Sequence, residues 1–172
     1  MVKRRRWEVI NELIEKHDVK SFIEIGVLRG ENASHILKKN PQLHYIGVDP
    51  YVGGEDGVEY DHTNNMSEAI KIFRLYDNAV LLRHYSTELA SMLASNVTRY
   101  DMIFIDGDHS YKAVKQDIQY WKPLVKPGGI LAGHDYSKHP SKAGVIKAVN
   151  EKIPEDKLNL SDDNVWYYIK DA

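Results

Sequence analysis

Ile23-Glu24-Ile25-Gly26-Val27-Leu28-Arg29-Gly30 joins a short apolar run to a glycine turn and then to a helix-forming segment. The run 22–25 is too short for a helix and fits a strand buried in a parallel sheet. Gly26 can take a backbone conformation that other residues resist, and it leaves bare main chain for a ligand to approach. Gly30 opens a helix over 31–39, whose first N–H groups lack intrahelical acceptors and point back toward the turn. Glu24 stands two positions before Gly26. A tight β–α turn that merely packs a helix on its strand has the same appearance, so the rest of the chain decides between the two.

Moving outward, residues 2–17 read as an amphipathic helix, with Trp7, Ile10, Leu13 and Ile14 at helical spacing. The basic run Lys3 to Arg6 could touch RNA or phosphate, but is expected to be a solvated helix end. After the helix 31–39, Asn40-Pro41 ends it, and 44–48 is a second strand that finishes at Asp49. Residues 52–65 read as a loop across the open end of the sheet. Asp56, Glu59, Asp61 and His62 lie in it, at a spacing that matches no metal loop. A helix over 67–75, capped by Asn65 or Ser67, and a strand over 79–82 follow. Ser86 then stands as the cap of a helix 87–93 or as a ligand contact. The fourth strand, 101–106, ends in Asp106-Gly107-Asp108-His109-Ser110-Tyr111. A helix over 111–121, a turn at 126–129 and a fifth strand over 130–133 lead to His134-Asp135-Tyr136. A helix over 144–152 and a hairpin of strands 157–160 and 165–170 close the chain.

The expected fold is α/β: a doubly wound, mostly parallel seven-stranded sheet with a C-terminal antiparallel hairpin and helices on both faces. Residues 1–172 read as one domain, with the N-terminal helix packed on the core. With 172 residues, 42% hydrophobic and 28% charged, the chain has the balance of a globular protein. A net charge of −2 gives no general attraction to nucleic acid or anionic membrane. Cysteine is absent, which excludes disulfides, thiolate nucleophiles and zinc–thiolate sites. No apolar run approaches the ~20 residues of a membrane span, and no signal peptide opens the sequence, so a cytoplasmic location is expected.

Ligands of such sheets bind beyond the C-terminal strand ends, and here those ends carry chemistry. Asp49, about 20 residues past the glycine turn, is placed for ribose hydroxyls, with Tyr51 beside it to stack on an adenine. Asp106, His134 and Asp135 come from neighbouring strands and are expected to meet. Two carboxylates and an imidazole without a thiolate suit Mg²⁺ or Mn²⁺.

The E-x-G-x-x-x-G spacing resembles the first motif of the Rossmann-like S-adenosylmethionine (AdoMet) methyltransferases. The Pro127-Gly128-Gly129 turn before the fifth strand and the closing hairpin are also habits of that family. The resemblance covers nearly the whole chain, and it implies AdoMet bound across Gly26 and Gly30. Glu24 would lie near the methionine end, with Asp49 at the ribose and Tyr51, Ser86 and Asp106 completing the cofactor site. The I-D-G-D-H-S-Y and G-H-D-Y runs resemble the metal-dependent O-methyltransferases of catechol, macrolide and aminocoumarin-sugar type. That likeness implies Asp106, His134 and Asp135 as metal ligands and a small hydroxylated acceptor. The family commonly has a carboxylate where this chain has His134, which opens a role for His134 behind Asp135. His109 stands where catechol-type relatives keep a lysine, and with an ordinary pKa near ~6.5 it can serve as the base. Asp106 is the alternative catalytic group. A metal-independent N- or C-methyltransferase, and a nucleotide or nucleotide-sugar-binding protein without methyl transfer, are the competing expectations. The acceptor pocket is expected from residues 52–65, 136–142 or another subunit, which leaves a homo-oligomer open.

Overall fold

The computed structural model describes residues 4–53, 61–95 and 98–171. Its seven strands form a single sheet in the order β3-β2-β1-β4-β5-β7-β6. They are β1 (Ser21–Ile25), β2 (His44–Val48), β3 (Ala79–Leu82), β4 (Tyr100–Ile105), β5 (Val125–Gly133), β6 (Asn159–Leu160) and β7 (Trp166–Ile169). The first five run parallel, while β7 pairs antiparallel with both β5 and β6. Chain order reverses beside β1, which has β2 on one side and β4 on the other. The glycine turn leaves β1 at this switch point, where open α/β sheets leave a crevice for ligands.

Among the described residues six α-helices cover the sheet: α1 (Arg6–Lys16), α2 (Glu31–Lys39), α3 (His62–Phe73), α4 (Ser86–Ala94), α5 (Tyr111–Trp121) and α6 (Ala143–Lys152). Successive strand residues point to opposite faces, so each central strand feeds two cores. Phe22, Met102, Phe104, Ile130 and Ala132 pack with α1, α2 and α3. Ile23, Ile25, Ile103, Ile105 and Leu131 pack with α4, α5 and α6. Glu24, alternating with Ile23 and Ile25, therefore faces the α1–α3 layer.

Several boundaries differ from those expected. The first helix starts at Arg6, and Arg5 N–H donates to Glu8 at 2.7 Å in a capping box. The third begins at His62, with Asp61 accepting from the Asn64 N–H at 3.0 Å, so neither Asn65 nor Ser67 is the cap. Asp61 and His62 thus start a helix, whereas Asp56 and Glu59 lie outside the described residues. The turn expected at 126–129 is a bulge within β5: Val125 stands opposite Tyr100 and Ile130 opposite Met102. In the hairpin, β6 shrinks to two residues, and short 3₁₀ turns occupy Glu155–Lys157 and Asp162–Asn164.

Candidate active site

A cleft of about 1210 Å³ opens at the C-terminal ends of the parallel strands. The glycine turn, Asp49, Ser86, Asp106, His109 and the His134-Asp135 pair all line it. At its centre Gly26 has φ +86°, and a Cβ there would lie 2.2 Å from the Asp106 carbonyl oxygen. Only glycine permits that contact between the ends of β1 and β4. Gly30, at φ +79°, precedes α2 and makes no side-chain cap bond, so the helix opens into the cleft with its first amides uncapped.

Asp49 holds this turn in shape. Its Oδ2 accepts from the N–H groups of Val27 and Leu28 at 3.0 and 2.9 Å, and Oδ1 accepts from Tyr51 N–H at 2.7 Å. It caps no helix among the described residues. The last of these bonds turns the chain inward at Tyr51, which has φ +52° and is 4% exposed. The Tyr51 ring belongs to the α1–α3 core, not to the cleft, which corrects the expected adenine stack. Pro50, Val52 and Gly53 line the cleft at that point instead.

Glu24 is 1% exposed and accepts from Asn32 Nδ2 at 2.8 Å and from Tyr45 OH at 2.7 Å. Burial pushes its carboxyl up to about 8, against the opposing pull of those two bonds. It is thus a largely neutral group beneath the turn, and Asn32 stands between α2 and the carboxyl. Ser86 is the first residue of α4, with Tyr85 at the cap position. Its hydroxyl donates to Asp117 Oδ1 at 2.5 Å and accepts from Trp121 Nε1 at 2.7 Å.

Asp106, His134 and Asp135 do converge. One donor atom of each lies within 4.8 Å of the others. His134 Nδ1 stands 3.5 Å from Asp106 Oδ1 and 3.4 Å from Asp135 Oδ1. Adjacent ligands of an octahedral ion at roughly 2.1 Å sit about 3.0 Å apart, so closing on an ion needs shifts of a few tenths of an ångström. The outer oxygens are held from behind. Arg6 Nε lies 3.4 Å from Asp106 Oδ2, while His109 Nε2 and Lys142 Nζ lie 2.8 and 2.9 Å from Asp135 Oδ2. One oxygen of each carboxylate thus faces inward, while the outer one is met by an ion pair with Arg6 at Asp106 and by His109 and Lys142 at Asp135, an arrangement suited to a hard divalent ion. Asp135 has φ +61°, a strained conformation for a residue with a side chain.

Burial pulls the His134 imidazole down, but Asp106 and Asp135 outweigh it and raise the group to about 9. Burial likewise opposes the Asp135 charge, yet His109, His134 and Lys142 hold its carboxyl well below the usual carboxylate range. Ligation through His134 Nδ1 would therefore release a proton.

Arg6, Asn32 and Asp117 are cleft residues that the sequence did not single out, and Lys142 was expected there only as the end of the acceptor-pocket stretch 136–142. Asp117 alone had a visible signal. It is an acid on the same helical face as Val114, Ile118 and Trp121.

The family model described as "Methyltransferase domain" matches residues 23–136, two thirds of the chain. The chain belongs to this family, in the class of Rossmann-like AdoMet-dependent methyltransferases. An uncharacterized protein, R132, of Acanthamoeba polyphaga mimivirus is 26% identical over 152 residues, covering 86% of this chain. The chain spans 65% of that relative's length. Among solved structures, an O-methyltransferase from Bacillus cereus in complex with SAH superposes with a TM-score of 0.67 at 14% identity. The match covers 96% of this chain and 80% of that one. CalS11, a TDP-rhamnose 3′-O-methyltransferase of calicheamicin biosynthesis, gives 0.68 at 19% identity, over 94% and 77% of the two chains.

Proposed function

We propose that this protein transfers the methyl group of AdoMet to a hydroxyl of a small molecule or sugar, with Mg²⁺ or Mn²⁺ at Asp106, His134 and Asp135. The observation that carries the reading is the meeting of those three side chains in the same cleft as the uncapped glycine turn. When bound, a divalent ion there would draw two neighbouring acceptor oxygens together and lower the pKa of one. Gly26 and Gly30 give the donor access to main-chain amides, and Asp49 fixes the turn and offers its carboxylate to the ribose. His109 is the base. Its Nε2 on Asp135 makes Nδ1 the basic atom, and the Asp135 charge stabilises the imidazolium formed when the acceptor proton arrives. In-line positioning supplies much of the remaining rate. The sugar named for CalS11 supports the acceptor class.

One observation favours a second reading, methyl transfer without a metal. Arg6 and Lys142 already give Asp106 and Asp135 counter-charges. Methyl-labelled AdoMet incubated with a panel of hydroxylated sugars and phenols separates the two readings. Transfer abolished by EDTA and restored by Mg²⁺ is the expected result. Full transfer in EDTA selects the metal-independent reading. An absence of AdoMet binding by calorimetry, alongside tight binding of NAD or a nucleotide sugar, overturns both.

A further inference from the structure

The closing hairpin reaches the candidate centre through the short turn Asp162–Asn164. Asp163 and Asn164 are both left-handed there, at φ +55° and +57°. Consecutive left-handed residues other than glycine are strained, and their surroundings must hold them. Two bonds do so. Tyr136 N–H donates to the Asn164 carbonyl at 3.0 Å, and Arg6 N–H, at the start of α1, donates to Asp163 Oδ2 at 2.9 Å. The turn is thus clamped between α1 and the segment that carries His134 and Asp135.

This clamp sets the Asp163 carboxylate behind His134. Its Oδ2 lies 3.9 Å from His134 Nε2, and the two side chains are 20% and 11% exposed, so water screens them little. His134 Nε2 is buried and has no hydrogen-bond partner among the described residues. Nδ1, on the other side of the ring, faces the inner oxygens of Asp106 and Asp135 at 3.5 and 3.4 Å. Nε2 carries the ring proton when Nδ1 meets an ion, and it carries a proton as well when Nδ1 donates to those carboxylates. A buried N–H needs an acceptor in both states. We propose that Asp163 is a positioning residue, which accepts the His134 Nε2–H and so keeps Nδ1 turned into the centre. Closing the gap to a hydrogen bond takes a movement of about 1 Å. Without the carboxylate, a half-turn of the ring puts a carbon where Nδ1 stands. A carboxylate at position 134 would have no such proton to place, so the role exists only because the residue there is histidine.

This inference rests on the proposed metal, and its test separates the two. Electron paramagnetic resonance measures Mn²⁺ affinity, and electron spin-echo modulation reads the coupling of the ion to an imidazole nitrogen. The wild-type protein is expected to bind Mn²⁺ with that coupling, and His134→Asp to bind without it. In Asp163→Ala the affinity is expected to fall about 10-fold and the coupling to weaken. Asp163→Asn, which keeps an acceptor oxygen, should recover most of the loss. In the His134→Asp background, Asp163→Ala is expected to change the affinity by less than about 2-fold. An unchanged affinity and coupling in Asp163→Ala overturns the inference. So do equal losses in both backgrounds, which assign the effect to the turn, and an Asp163→Asn as weak as Asp163→Ala, which assigns it to charge. Mn²⁺ bound by the wild type without nitrogen coupling overturns it too, but leaves the metal on the two carboxylates. A wild type that binds no Mn²⁺ removes the metal reading and this inference with it.

Discussion

Asp106 presents one carboxylate oxygen to the shared centre and the other to Arg6, and Arg6 comes from the first turn of α1 rather than from a strand end. Arg6 acts through Asp106, as a positioning residue. Arg6→Met is therefore expected to weaken Mn²⁺ binding about 10-fold, as read by electron paramagnetic resonance, with an unchanged circular dichroism spectrum. Arg6→Lys should recover part of the loss; an affinity unchanged in Arg6→Met would show that Asp106 is held without it. Asp106, His134 and Asp135 were legible in the sequence because each directly follows an apolar strand, and strand ends meet at one rim by topology. Arg6 was not, because nothing in a basic run tells which cation folds back. The Tyr51 ring was misplaced for a similar reason: its direction is set by a backbone bond to Asp49 that no pattern of residue types shows.

At the scale of elements, the existence of the strands was more legible than their edges. Alternating apolar positions serve two cores at once, so the strands are readable, but the bulge in β5 depends on a tertiary anchor. Asp101 supplies it. Its Oδ1 takes Lys126 Nζ at 2.6 Å, while Oδ2 accepts from the N–H groups of Lys20 and Ser21 and from the Ser21 hydroxyl. Burial opposes the charge, but Lys126 and Ser21 lower the Asp101 pKa overall. A depressed carboxylate stabilises the fold above its ordinary pKa and loses that contribution as pH falls through the acid range. Asp101→Asn should cost about 1–3 kcal/mol at neutral pH and less at pH 3, measured by urea unfolding. An equal cost at both pH values would assign the effect to packing. The start of α3 was missed for want of tertiary information too, since Asp61 closes a polar stretch that reads as loop until its side chain is seen capping Asn64.

In the whole molecule, two acids are buried on opposite faces of the sheet. Burial raises Glu24 to about 8 and Asp117 to about 7, against their hydrogen bonds. Their folded pKa values exceed the unfolded ones. Their stabilising contribution is therefore full below the ordinary carboxylate range, and it is lost as pH rises through 7 and 8. Stability should fall between about pH 5 and 8, and the double variant Glu24→Gln, Asp117→Asn should flatten that slope in thermal melts. A slope as steep in the variant as in the parent would place its origin in other groups. These two buried carboxyls both line the ligand cleft, one under the glycine turn and one on α5 beside Ser86.

The central claim is that the donor on the glycine turn and a divalent ion share this cleft. Crystals grown with S-adenosylhomocysteine and Mn²⁺, measured at the manganese absorption edge, test it most directly. The account predicts an anomalous peak ligated by Asp106 and Asp135, with the homocysteine end of the ligand over Gly26 and Gly30. An ordered ligand with no peak at those carboxylates, or a peak elsewhere in the molecule, would contradict it.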